Sequence, residues 1–263
     1  MDLELTALHG IDGQRPTERR NADPTINLDR VNRSLEGADA QEVLHWVKER
    51  FGDRVAVSSS FGADSALMLH LVTRVMPNIP VVFIDTGYLF PETYRFAEQL
   101  RERFRLNLLT YSAPMTPARQ EALYGRLWEQ GEEGVRQYLA LNKVEPMKRA
   151  LEELGIDVWL AGLRASQTDH RRSLRKVALH DGRLKVHPIL DWGKEQVDEY
   201  LSRHALPRHP LYSQGYRSIG DWHSTSPVAP DEDDRAGRLL GVKKECGLHL
   251  TSEENSSLSS SGL

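Results

Sequence analysis

Three short apolar runs alternate with two amphipathic stretches between residues 55 and 110, and that order constrains the fold more than any other feature. Val55-Ala56-Val57 runs into the turn Ser58-Ser59-Ser60-Phe61-Gly62-Ala63-Asp64-Ser65. Asp64 to Met76 then carries Leu67, Leu71 and Val75 on one helical face. Val81-Val82-Phe83-Ile84 follows and ends in Asp85-Thr86-Gly87. Pro91 suits a first helical turn ahead of Glu92 to Phe104, and Leu106 to Thr110 supplies the third run. Strand–helix–strand–helix–strand predicts an α/β fold, an open and mostly parallel sheet with helices on both faces.

The rest of the chain extends this scheme. Val43, Leu44, Val47 and Phe51 recur at helical spacing between Asp39 and Gly52. Residues 115–154 read mostly as helix, with a fresh start at Glu145-Pro146. Val158-Trp159-Leu160-Ala161 is a fourth strand, and Asp181-Gly182 between two apolar runs predicts a hairpin. Residues 194–204 form a further helix, and Leu206 to Asp234 is dense in Pro, Gly, Ser and Asp, which predicts long loops. The expected organisation is an irregular segment 1–38, an α/β nucleotide-binding domain 39–230 and a mobile tail 231–263.

Composition sets limits on function. A chain of 263 residues with 39% hydrophobic and 27% charged residues suits a soluble globular protein. The net charge of −4 gives no global basis for nucleic-acid binding, so any anion site must be local. No apolar run approaches the ~20 residues needed to cross a bilayer. Met1-Asp2-Leu3-Glu4-Leu5 lacks the basic and apolar regions of a signal peptide, which leads to the expectation of a cytoplasmic protein. The single cysteine, Cys246, can form neither an internal disulfide nor a cysteine-based metal cluster by itself.

Four places carry candidate chemistry. The turn after the first strand offers backbone N–H groups, the hydroxyls of Ser58, Ser59, Ser60 and Ser65, and a helix N-terminus, a combination suited to an oxyanion. Gly62 there permits close backbone approach. The turn is neither a GxGxxG nor a lysine-bearing P-loop, and taken locally it also fits an ordinary turn with Asp64 as helix cap. Asp85 ends the adjacent strand, where it fits either a ribose hydroxyl or an Asx turn. Arg164, Gln167, Thr168, Arg171 and Arg172 follow the fourth strand on the same edge and suit a ligand with several phosphate or sulfate charges. Cys246 lies among Lys243, Lys244, Glu245 and His249, a polar setting for a nucleophilic thiolate rather than for a buried hydrophobe. His180, His187, His204 and His209 lack a metal-ligand spacing, and Trp128, Trp159 and Trp192 read as core or interface residues.

These motifs occur together in one family. With Ser58–Ser65, Ile84–Gly87, Lys143-Val144-Glu145-Pro146, Gly162–Arg171, Gly220–Thr225 and Lys244–His249, the sequence resembles the assimilatory phosphoadenylyl-sulfate reductases. Their fold is Rossmann-like, of the adenine-nucleotide alpha-hydrolase type. Related enzymes that reduce adenylyl sulfate hold an iron–sulfur cluster on two cysteine pairs. The matching places here are Tyr138, Leu139, Asp221 and Ser224, so the resemblance points to the cluster-free branch, with no tightly bound cofactor. It implies that Cys246 attacks the sulfate sulfur of 3′-phosphoadenylyl sulfate, giving an S-sulfonate that reduced thioredoxin or glutaredoxin releases as sulfite. By the same match, Lys143, Arg235, Arg238 and His249 face the phosphosulfate, Ser60, Gly62 and Ser65 belong to the cradle, and Arg164 and Arg171 lie near the nucleotide. A homodimer is expected from the family. The rival readings are a cluster-free adenylyl-sulfate reductase, an ATP pyrophosphatase or ATP sulfurylase small subunit, and a nucleotide-binding regulator. The pyrophosphatases use a Ser-Gly-Gly-x-Asp-Ser turn, and here Phe61 stands at the first of those glycines.

Overall fold

The computed structural model describes residues 26–229, 231–238 and 248–249. Strands β1 (Val55–Ser58), β2 (Pro80–Ile84), β3 (Asn107–Tyr111), β4 (Val158–Ala161), β5 (Val177–His180) and β6 (Arg183–Val186) form one sheet in the order β3-β2-β1-β4-β6-β5. All neighbours are parallel except β5 and β6. Their hairpin turns at Asp181 (φ 47°) and Gly182 (φ 81°), the paired left-handed residues of a tight primed turn.

From β1 the chain moves outward through β2 to β3, then returns to the other side of β1 at β4. The carboxyl ends of β1 and β4, where Ser58 pairs with Ala161, therefore flank the point at which the strand order reverses. A crevice for a ligand opens at such a point because the loops after the two strands diverge to opposite sides.

Side chains alternate across the sheet. Val55, Val57, Val158 and Leu160 face α2 (Ala40–Phe51), α3 (Ser65–Val75), α4 (Pro91–Phe104) and α9 (Lys194–Arg203), which supply Leu44, Leu67, Phe96 and Leu201 to a large core. Ala56, Val82, Trp159 and Ala161 face the other way, against Met147, Ala150 and Leu151 of α7 (Glu145–Glu153). The expected parallel sheet with helices on both faces is what the chain forms. Asp39 closes the start of α2 by accepting from Gln41 and Glu42 N–H, while Glu42 accepts from Asp39 N–H.

Two stretches depart from the sequence reading. Within the segment read as irregular, α1 (Leu28–Ser34) is a helix, and Asn32 docks it on the edge strand. The Asn32 amide donates to Val177 O at 2.8 Å and accepts from Val177 N at 3.1 Å, satisfying backbone groups that an edge otherwise leaves open. Residues 115–154 are helical but broken into α5 (Pro117–Tyr124), a short 3₁₀ turn, α6 (Gly131–Leu139), a π turn at Ala140–Val144 and α7. The loops after residue 206 include 3₁₀ turns at Pro210–Gln214 and Trp222–Ser224. Residues 1–25, Cys246 and most of the expected tail lie outside the described residues.

Candidate active site

The serine turn forms one wall of a cavity of about 250 Å³ at the switch point. Ser58, Ser60, Gly62 and Ser65 all line it. Among the described residues, the N–H groups of Ser60, Gly62, Ala63 and Asp64 have no acceptor. That leaves a concave row of donors at the start of α3, where the helix also contributes positive potential. Phe61, at φ 48°, makes the tight bend. A left-handed phenylalanine costs about 1–2 kcal/mol, and burial offsets it, because the ring is fully enclosed and meets Phe83 edge-on at 4.9 Å. Gly62 is not left-handed, and an added methyl there would touch only Ile219 O and Ser60 Oγ at ordinary contact distance. The backbone freedom expected of Gly62 is thus exercised by Phe61.

Asp64 does not cap α3. Its two carboxylate oxygens accept instead from Arg164 Nη2 at 3.2 Å and Arg208 Nε at 3.0 Å. The Asp64 carboxylate therefore orients Arg164, which follows β4, toward the turn that follows β1. Gln167 accepts from the Arg164 backbone N–H and from Arg171 Nη1, holding the second arginine in the same wall. Arg171 begins no long element; its N–H is capped by Thr168 at the start of the short α8 (Asp169–Arg172).

Asp85 lies apart. It is not among the cavity-lining residues, and its Oδ1 accepts from Gly87 N at 2.8 Å and from the Tyr94 hydroxyl at 2.7 Å. The Asx turn is its observed role. The neighbouring Thr86 lines the cavity instead, and its hydroxyl donates to Asp221 at 2.6 Å.

Lys143 projects from the π turn, where one extra residue per turn shifts the side-chain direction relative to α6 and α7. Its ammonium lies 2.6 Å from Asp221, whose side chain is wholly buried. Burial alone would raise the Asp221 carboxyl, but the Lys143 ammonium and the Thr86 hydroxyl bring it below its ordinary value. Around this pair, Tyr88, Trp128, Tyr138 and His223 pack as an aromatic cluster, with His223 stacked on Trp128 at 4.0 Å. Tyr138, Asp221 and Ser224, matched above by resemblance to cluster-cysteine places, are a buried ring, a buried carboxylate and a buried hydroxyl.

Arg235 and Arg238 enter from residues 231–238. Thr225 bridges to Arg238 and Ser226 N–H donates to Gly237 O, which fastens this strip to the loop before it. The Arg235 guanidinium reaches Ser218 Oγ, and that of Arg238 points its terminal nitrogens at Gly220, where a Cβ would sit 2.3 Å from each of them. Lys143, Arg164, Arg171, Arg235 and Arg238 are each at most 8% exposed, and all line the cavity. Among the described residues, these five and Arg217 make six lining cations against two lining carboxylates, Asp64 and Asp234. Such an excess of buried charge suits a ligand carrying several negative charges.

The chain returns to this cavity at Leu248 and His249, which line it. His249 keeps some exposed surface, yet its Nδ1 is enclosed and has no partner among the described residues. Burial, with Lys185 and Arg171 adding to it, holds the imidazole well below its ordinary pKa. His249 is therefore neutral here, and the positive charge of the site is supplied by lysine and arginine. Trp159, read from sequence as core, also serves the site: its indole N–H donates to Ser58 Oγ at 2.7 Å.

The family model of the phosphoadenosine phosphosulfate reductase domain matches residues 54–227. The chain belongs to this family. A phosphoadenosine 5′-phosphosulfate reductase of Synechocystis sp. is 52% identical over 242 residues, covering 90% of this chain and 97% of that protein. The crystal structure of a phosphoadenylyl-sulfate reductase from Candida auris, a phosphate complex, superposes with a TM-score of 0.66 at 31% identity, over 75% of this chain and 95% of that one. Beyond the reductase family, Candida glabrata FMN adenylyltransferase in complex with ATP shares the fold alone, with a TM-score of 0.56 at 16% identity over 78% of this chain and 67% of that one.

Proposed function

We propose that this protein reduces 3′-phosphoadenylyl sulfate to sulfite and adenosine 3′,5′-bisphosphate in sulfate assimilation, with Cys246 as nucleophile and thioredoxin or glutaredoxin as the electron donor. The observation that carries the reading is the convergence of five buried cations on the serine cradle, in a cavity that Leu248 and His249 also line. Cys246 stands two residues before Leu248 in the chain.

In the first step the Cys246 thiolate attacks the sulfate sulfur. An S–S bond forms, the S–O bond to the phosphate breaks, and its electron pair leaves with the phosphate oxygen. The leaving group is already a stable phosphate, so no strong general acid is needed. Rate enhancement falls instead to alignment of the thiolate with the S–O bond and to fixed cations facing the transferred charge. Lys143, Arg235 and Arg238 are the proposed contacts to the phosphosulfate. Ser58, Ser60, Gly62 and Ser65 form the cradle, and Arg164, held by Asp64, and Arg171, held by Gln167, serve the nucleotide.

In the second step a donor thiolate attacks the Cys246 sulfur and expels sulfite, leaving a mixed disulfide. The second donor thiol resolves it, so the donor loses two electrons as its disulfide and Cys246 returns to the thiol. One cysteine per chain makes an external thiol donor obligatory on this reading. We extend the reading to a homodimer in a reducing cytoplasm. The test is sulfite release from purified protein with reduced thioredoxin, comparing 3′-phosphoadenylyl sulfate with adenylyl sulfate. A kcat/KM at least tenfold higher for the former supports the assignment, and equal or reversed values overturn the substrate.

A further inference from the structure

Trp159 and Lys185 are register partners on β4 and β6. They occupy the sheet face that α7 covers only in part, and Lys185 is 3% exposed. A lysine in the middle of a sheet face is costly unless its ammonium is satisfied. Here the ammonium lies 3.8 Å from the centroid of the Trp159 ring and donates to Leu248 O at 3.0 Å. His249 stacks on the same indole, at 5.9 Å and 29°, and Leu248 packs against the apolar cluster around it. The edge of that indole holds Ser58 Oγ, at the first residue of the cradle. One tryptophan thus touches the cradle through its N–H and the returning chain through its ring.

We propose that the Trp159–Lys185 pair is a positioning device that seats the chain at Leu248 and ties this seat to the serine cradle. Lys185 acts through the backbone it grips at Leu248. Leu248 stands two residues after Cys246 in the chain, so a hold on its backbone limits the freedom of the proposed nucleophile, and the same indole holds Ser58 of the cradle. Only the role of Cys246 rests on the functional reading above; the seat at Leu248 does not.

The experiment uses the full chain with Lys185→Met, which keeps length and a polarizable contact to the indole, and Lys185→Arg, which keeps the charge and the donor. Cys246 is the chain's one cysteine, so iodoacetamide alkylation reads its freedom directly. Rates are taken at the alkaline plateau, where the thiol is fully ionised in every variant. Lys185→Met is expected to raise this rate about tenfold, equivalent to about 1.4 kcal/mol, and to lower kcat about tenfold with the Kd of adenosine 3′,5′-bisphosphate within twofold. Lys185→Arg should restore both. If Lys185→Met fails to fold, His249→Ala, at the partly exposed end of the seat, carries the same alkylation test. An unchanged alkylation rate in the folded variant overturns the proposal, as does an equal loss in Lys185→Arg. If the wild-type protein releases no sulfite, the functional reading fails, while the alkylation comparison still decides the clamp.

Discussion

Asp221→Asn isolates the buried ion pair behind the site. The substitution preserves shape and leaves an oxygen to accept from the Thr86 hydroxyl, but it removes the charge 2.6 Å from the Lys143 ammonium. Asp221 is wholly enclosed and Lys143 only 7% exposed, so little solvent screens the charge left behind. Removing one member of a buried pair costs about 3–5 kcal/mol. For a chain of this size, each kcal/mol lowers Tm by about 2–4 °C, which gives a fall of roughly 6–20 °C. Thermal unfolding measured by circular dichroism reads this directly. The double variant Lys143→Met/Asp221→Asn should recover most of the loss, because a thioether of similar length leaves no unpaired charge. A single variant within about 1 kcal/mol of wild type, or a double variant no more stable than the single one, would refute the claim that this pair is a satisfied, water-excluded unit.

Other outcomes follow from the same geometry. Gly220→Ala places a methyl against the Arg238 guanidinium and should weaken adenosine 3′,5′-bisphosphate binding by about tenfold, read by calorimetry, with Tm shifted by no more than a few degrees. Burial lowers His187, His209 and His223 to about 4, below the ordinary 6.5, so the unfolded chain binds more protons between these values. Their contribution to stability is therefore complete above pH 6.5 and is lost as pH falls toward 4. Urea unfolding across that window should show the decline. His187→Asn, which keeps a donor for Arg175 O, should flatten the slope by about one proton. Asp64→Asn should loosen Arg164 and Arg208 together and raise KM for the nucleotide several-fold, with kcat changed less.

The fold was legible because its information is local. Val55–Val57, Val81–Ile84 and Val158–Ala161 are apolar runs bounded by helices with clear stripes, whereas the return of β4 to the far side of β1, which makes the switch point, is set by the tertiary fold. That Arg164 and Arg171 lie on the cavity edge was legible because they follow the fourth strand. What escaped depends on tertiary context. The fresh start at Glu145-Pro146 is where α7 begins, but no propensity marks the π turn just before it that redirects Lys143. Phe61 adopts the left-handed bend only because Phe83 encloses its ring. The link from Trp159 to Ser58 spans two strands 101 positions apart, and nothing in the spacing of a tryptophan announces it. For Asp85 the sequence left a ribose contact and an Asx turn open, and the structure shows the Asx turn: Gly87 and Tyr94 take the carboxylate, and Thr86 lines the cavity instead.

The central claim is that Cys246 itself receives the sulfonate. Mixing the reduced protein with 3′-phosphoadenylyl sulfate in the absence of any dithiol, then mapping peptides by mass spectrometry, tests it most directly. The account predicts one sulfonate per chain on Cys246, released as sulfite when reduced thioredoxin is added, and no adduct in Cys246→Ser, which still binds the nucleotide. Sulfite formation at near wild-type rate by Cys246→Ser would contradict it.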